Sequence, residues 1–272
     1  MPVTDVETFI AEQQNKTIAV AVYDFETEQE ILIDPDQAFH PASTIKVHVM
    51  MEVFHQAEQG LLALEDGLPI TNSFTSIADG SKFSLNVDDD AEQTLYPRVG
   101  ETESIAELTR LMIVRSSNLA TNILLEKVSA QNVNDFIEAL GITGVTVRRG
   151  VEDQAAFLRG MNNSATARGL TQTMRSLGEK KAVSPAASQK MIAILLGQEF
   201  NESIPAMLPP GTQVAHKTGW TGDVYHDTGL VYPENREPYA ISIMTRGFPE
   251  DQPDEAHSCM AKVSKLIYEK LR

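Results

Sequence analysis

The spacing of apolar residues changes period twice along the chain, and that change restricts the folds open to it. Residues 17–25 and 31–33 carry β-branched side chains at strand spacing, with a polar turn at 26–30 between them. A short extended stretch stands at 145–149, and strand spacing returns near the far end, at 212–217, 224–232 and 239–245. In between, apolar residues recur at helical intervals over 104–114, 119–128, 132–140, 165–177 and 187–196. Amphipathic helices at 3–13 and 254–271 bracket the whole. The expected fold class is α+β, an α/β sandwich: a five-stranded antiparallel sheet flanked by N- and C-terminal helices, with an all-helical subdomain inserted between its halves. Residues 1–42 and 197–272 are expected to form the sheet part and 43–196 the helical part of one unit, with no linker or repeat.

The bulk numbers exclude some partners. A chain of 272 residues can bury a large core, and a net charge of -16 opposes binding to nucleic acid or to an anionic membrane surface. Cys259 is the single cysteine, so no disulfide forms within the chain, and a small buried packing role is expected for it. His40, His216 and His226 lack metal-ligand spacing, so neither metal nor cofactor is expected. The acidic run Asp88-Asp89-Asp90 reads as a solvated loop. The N-terminus lacks an export signal and no stretch reaches membrane-spanning length. The expectation is a cytoplasmic monomer, or a secreted or periplasmic one if an export segment has been removed.

Three short motifs carry chemistry. In His40-Pro41-Ala42-Ser43-Thr44-Ile45-Lys46-Val47-His48, a serine and a lysine stand three apart where a helix begins. The apolar stripe Ile45, Val49, Met50, Val53, Phe54 and Ala57 continues that helix. Pro41 favours a helix start, so Ser43 is expected in the first turn with the Lys46 amine in reach of its hydroxyl. Unpaired N–H groups and the positive helix end there suit an oxygen that becomes negative. Next, a polar Ser116-Ser117-Asn118 knot separates two apolar helices and must cap them or project into a site. Third, Lys217-Thr218-Gly219-Trp220 follows a strand candidate, where a lysine, a hydroxyl and a glycine permitting close approach suit a carboxylate beside a sheet. The long segment 150–163, with Glu152 and Asp153, is expected to be an irregular functional loop.

In order, Ser43-x-x-Lys46, Ser116-x-Asn118 and Lys217-Thr218-Gly219 resemble the signature set of the penicillin-recognising serine enzymes. The chain is similar to class A β-lactamases and to penicillin-binding peptidase domains over nearly its whole length. That resemblance implies Ser43 as the acyl-accepting nucleophile, Lys46 as its activating base and Ser116 as the carrier of a proton to the leaving nitrogen. It implies Asn118 as a holder of Lys46 and the substrate amide, and Lys217 and Thr218 as binders of the substrate carboxylate. The backbone N–H groups of Ser43 and Trp220 would make the oxyanion hole. Glu152 falls at the glutamate that directs water onto the acyl-enzyme. The implied partner is a small-molecule β-lactam, or another acyl amide or ester.

The chain also departs from the pattern. Asp153-Gln154-Ala155-Ala156 follows Glu152, without the asparagine that helps hold the water, and the loop is about two residues shorter, so deacylation is the step in question. Ser117 stands where an aspartate is usual. His226 and Asp227 fall near the usual position of a carboxylate-binding arginine, for which Arg246 is a substitute. Trp220, the sole tryptophan, either walls the site or packs. Besides a class A type hydrolase, two alternatives remain open: a peptidase or esterase with weak lactam turnover, and a non-catalytic sensor of acyl ligands.

Overall fold

The computed structural model describes residues 4–272. The N-terminal helix α1 spans Thr4–Ala11, and its expected start at residue 3 lies outside the described residues. Strands β1 (Thr17–Asp24) and β2 (Glu30–Ile33) follow, then the buried helix α2 (Lys46–Glu58). Short strands β3 (Gly67–Pro69), β4 (Phe74–Thr75), β5 (Lys82–Phe83) and β6 (Thr102–Ser104) order the segment before α3 (Ile105–Val114). Helices α4 (Asn118–Val128) and α5 (Ala130–Ala139) precede β7 (Val145–Thr146), α6 (Gln154–Leu158) and β8 (Ser164–Ala165). Helices α7 (Ala167–Gly178) and α8 (Pro185–Leu196) lead to β9 (Gln213–Thr221), β10 (Val224–Tyr232), β11 (Tyr239–Arg246) and the closing helix α9 (Pro253–Leu271).

The main sheet has the order β2-β1-β11-β10-β9 and every pair is antiparallel. Strand β1 thus pairs with the last strand of the chain and β2 forms the edge beyond it, as the expected α+β architecture requires. Both faces are covered, which explains why β1 and β10 are buried almost throughout. Ile18, Val20 and Val22 point into a core shared with α1 and α9, whereas Ala19 and Ala21 face Ala167 and Leu170 of α7. Small residues on that second face let α7 lie close, and the Thr171 hydroxyl stands 3.0 Å from Ala21 O and 2.9 Å from Ser242 Oγ. Cys259 is buried in the core beneath α9. No described helix is long and apolar enough to cross a membrane.

Three local expectations change. Helix α2 carries more than one apolar stripe: Lys46, Val47, His48, Met51 and Glu52 are buried too, because it runs through the centre of the helical part. The loop 150–163 contains α6, capped by the Asp153 carboxylate accepting from Ala156 N at 3.0 Å. Strand β9 runs on through Trp220 to Thr221, so Lys217-Thr218-Gly219-Trp220 lies within the ladder, paired with Tyr225, His226, Asp227 and Thr228 of β10.

Candidate active site

Ser43 sits in a single 3-10 turn, Ala42–Ile45, which feeds α2. Pro41 starts the turn with φ −75°, and its carbonyl accepts from the Thr44 hydroxyl at 2.6 Å. Ala42, just before the serine, is held at φ +47°, a left-handed conformation rare for a residue with a Cβ. Ser116 and Glu152 share this property, with φ +59° and +61°. Strained residues gathered around one cleft are characteristic of functional sites. All three also line a single cavity of about 980 Å³, together with Ser43, Asn118 and Trp220.

Lys46 is fully buried, and its amine reaches across to the Ser116-Ser117-Asn118 knot. Nζ lies 2.6 Å from Ser116 O, 3.2 Å from Ser116 Oγ and 2.8 Å from Asn118 Oδ1. Its hydrogen bonds therefore run to the second motif, whereas the helical spacing alone pointed to Ser43. Lys217, equally buried, approaches Ser116 from the sheet side: Nζ is 3.1 Å from Ser116 Oγ and donates to Thr218 O at 2.8 Å. Two amines thus share one hydroxyl. Burial lowers the Lys46 pKa to about 7, against the opposing pull of the Asp90 carboxylate. Burial, reinforced by the Lys46 charge, holds Lys217 well below the ordinary lysine value. A neutral Lys46 would donate to Ser116 O and Asn118 Oδ1 and accept the Ser116 hydroxyl proton, while Lys217 donates to the same oxygen. That geometry can pass a proton between an amine and the cavity.

Strand β9 approaches the Ser43 turn through its glycine. A Cβ built on Gly219 would lie 2.6 Å from Ser43 N and 3.2 Å from the Ala42 Cβ, so no larger residue fits without displacing the strand. Thr218 Oγ1 is buried beside this contact with no partner in the protein, a donor held for something else. Trp220 is partly exposed on the cavity wall, its ring edge-to-face with Phe200 at 5.4 Å. The indole therefore both packs and faces the cleft.

Glu152 lines the same cavity. Oε2 accepts from the Asn86 backbone N–H at 3.0 Å, and Oε1 is buried without a partner. Burial raises its pKa, the Asn86 bond lowers it, and Asp89 and Asp90 raise it further. The neighbouring backbone is clamped by Asn122: Val151 N donates to Oδ1 at 2.7 Å, and Nδ2 donates to Val151 O at 3.0 Å. A Cβ on Gly150 would come within 2.6 Å of that same amide, which ties the loop to α4.

Asp90 was not foreseen. The run 88–90 ends in a buried carboxylate, not in solvent: Asp90 accepts from Asn118 N at 2.9 and 3.0 Å, from Leu119 N at 3.0 Å and from Tyr96 Oη at 3.0 Å. It caps α4 from another segment, with Ser117 Oγ accepting from Ala120 N at 3.1 Å as the local cap. A carboxylate missing at position 117 is thus supplied by residue 90. No residue-spacing signal connects the two.

His226 and Asp227, near the usual position of the carboxylate-binding arginine, do not line the cavity. His226 is buried, accepts from Thr245 N at Nδ1 and therefore donates from Nε2 to His40 O at 2.8 Å. Asp227 faces His216 at 2.9 Å and accepts from Ile204 N. Both hold strands together and neither opens onto the cavity. Arg246 does line it, stacked 5.4 Å from the Phe39 ring. Among the described residues no group of three or more His, Cys, Asp or Glu side chains is placed to hold a metal ion.

This arrangement can be set beside known proteins. A model of the beta-lactamase enzyme family matches residues 2–271. The chain belongs to that family. Its sequence is 23% identical over 278 residues to the extended-spectrum beta-lactamase PER-1 of Pseudomonas aeruginosa, covering 93% of this chain and 82% of that protein. It is 24% identical over 260 residues to beta-lactamase 1 of Streptomyces cacaoi, covering 90% and 77%. Among solved structures, a PBP-A variant in acyl-enzyme complex with penicillin G superposes with a TM-score of 0.85 at 22% identity, covering 99% of this chain and 95% of that one. The TLA-1 extended-spectrum beta-lactamase gives 0.83 at 19% identity, covering 98% and 97%. The fold of this beta-lactamase family member is thus that of class A β-lactamases and their penicillin-binding relatives.

Proposed function

We propose that the protein is a serine hydrolase of the class A β-lactamase type, which opens a β-lactam amide through an acyl-enzyme on Ser43. The convergence of Lys46 and Lys217 on Ser116, with β9 pressed against the Ser43 backbone, is the observation that carries this reading. Neutral Lys46 takes the Ser43 hydroxyl proton as Oγ attacks the lactam carbonyl carbon. The carbonyl oxygen gathers charge between the backbone N–H groups of Ser43 and Trp220. As the carbon–nitrogen bond breaks, Ser116 gives its proton to the leaving nitrogen and is reprotonated by Lys46. The unpartnered Thr218 hydroxyl and Lys217 bind the substrate carboxylate, and Asn118 holds both Lys46 and the acyl amide. Glu152, with a free Oε1 on the cavity wall, directs water onto the ester.

A second reading is a peptidase- or esterase-like enzyme that acylates readily and releases slowly. Glu152 Oε2 is bound to Asn86 N and the Asn122 clamp grips Val151, one residue before the glutamate, and both favour it. Mixing the protein with penicillin G and following intact mass separates the two. Rapid turnover with little adduct supports the first, and a persistent adduct on Ser43 the second. Ser43→Ala must lose both adduct and turnover; residual turnover in that variant would refute the assignment.

A further inference from the structure

Arg149 lies on the wall of the Ser43 cavity with no anion to answer its charge. The side chain is only 7% exposed. Nε donates to Asn162 Oδ1 at 3.0 Å, Nη1 donates to Gly150 O at 3.1 Å, and the Phe157 ring centroid is 5.5 Å from Cζ. All of these are neutral groups. Asp153, whose charge is felt at Arg149, is turned to Ser76 Oγ, Ile77 N and Ala156 N. A guanidinium removed from water without a counter-charge is unfavourable, and burial lowers its pKa accordingly.

The remaining contact is frustrated. Arg149 Nη2 faces His40 Nε2 at 3.3 Å, and the other ring nitrogen, Nδ1, faces the Ala42 backbone N–H at 3.2 Å. A neutral imidazole has one acceptor nitrogen and an imidazolium has none, so the ring can satisfy only one of these two donors. Burial and the Arg149 charge keep the His40 pKa at about 4, so the ring is neutral at pH 7. With Nδ1 accepting from Ala42, the ring proton sits on Nε2 and meets the Arg149 Nη2–H head to head at 3.3 Å, donor against donor. Both side chains line the cavity, and an anion there that drew the two N–H groups toward itself would relieve that opposition.

We propose that Arg149 and His40 form an anion subsite of the cavity, which takes a carboxylate carried on the acyl arm of the substrate. His40 precedes Ser43 by three residues and is tied to the nucleophile turn through Ala42, so the subsite is fixed relative to the reacting oxygen. It shares no hydrogen-bond partner with Lys217, whose amine is bonded to Ser116 Oγ and Thr218 O. Asn162, Asn163 and Ser164 complete the polar wall around it. This inference rests on the acyl-transfer reading for the identity of the ligand, but not for the existence of the subsite.

The test uses probes that differ by one carboxylate. Phenylmalonic acid monoamide and phenylacetamide model two acyl arms, and their binding is followed by NMR at the His40 imidazole. The charged amide should bind on the order of tenfold more tightly to the unaltered protein, the effect of a charge-assisted pair. Arg149→Gln should abolish that preference and shift the binding-linked His40 signals, and Arg149→Lys should restore part of it. Because a general folding defect would weaken both amides alike, the ratio reports the subsite itself. Equal binding of the two amides, or a preference that survives in Arg149→Gln, overturns the proposal. Acylation rates with benzylpenicillin and its α-carboxy analogue provide the second arm. A preference in the amides with no acylation by either lactam keeps the subsite and sinks the acyl-transfer reading.

Discussion

Gly219 stands so close to Ser43 that a Cβ added to it would lie 2.6 Å from the Ser43 backbone nitrogen. The strand and the Ser43 turn are in backbone contact, and this contact sets where the Ser43 and Trp220 N–H groups point. Gly219→Ala should push β9 away and lower the rate of acyl-enzyme formation on the order of 100-fold, the usual effect of losing one oxyanion donor. The gain of intact mass with time measures it. An unimpaired variant would remove the strand from the proposed oxyanion hole.

Lys46, with its pKa brought down to about 7 by burial, predicts the pH dependence of acylation. A base must be unprotonated, so the rate should rise through about pH 7 and level off above it. The same shift acts on folding. Between about pH 7 and the unfolded lysine value near 10.4, the unfolded chain binds a proton that the folded one does not, so stability contributed by this group rises with pH. Below pH 7 both states are protonated and the cost of the buried ammonium is felt in full. A stopped-flow profile that stays flat from pH 5 to 9 would rule out Lys46 as the base.

Glu152 has a free Oε1 and a pKa raised chiefly by burial. Glu152→Gln should slow release of the acyl group at least about tenfold while acylation changes little. In the unaltered protein, release should weaken as pH falls through the raised value, because the protonated acid cannot take a proton from water. Pre-steady-state mass measurements give both rates. Equal losses in the two steps would take the glutamate out of the deacylating role.

Asp90 holds Asn118 through its backbone, and Asn118 holds Lys46. Asp90→Asn should cost about 2 kcal/mol of stability, the scale of a lost charge-assisted bond to a helix N-terminus. It also removes the anion that favours the Lys46 ammonium, so the rising limb of the acylation profile should move to lower pH. A variant that loses stability with an unmoved limb would confine Asp90 to capping. Denaturant melts and the pH profile together decide.

Much of the fold was legible because strand and helix periods leave separate marks. The β-branched runs at the two ends of the chain and the apolar rhythm between them follow from local side-chain geometry, and the five-stranded sheet came out of them. Expectations failed where distant segments meet. Residues 88–90 look like a solvated acidic run by composition, and only the approach of α4 buries Asp90. His226 stands in sequence near the usual position of a carboxylate-binding arginine, but which way its ring turns, to Thr245 N and His40 O, has no mark in the sequence. The helix over residues 165–177 is legible from its period, but its packing on the sheet through Thr171 is not.

The sequence by itself determined which side chains are available, their order and the elements that carry them, since those depend on backbone preferences and spacing over a few residues. Tertiary structure alone decided that Lys46 and Lys217, 171 positions apart in the chain, share the Ser116 hydroxyl, and that Arg149 and Ala42 both direct N–H groups at His40. Burial and hydrogen-bond competition are properties of a surrounding volume, and a volume assembled from several elements has no expression in the spacing of any one of them.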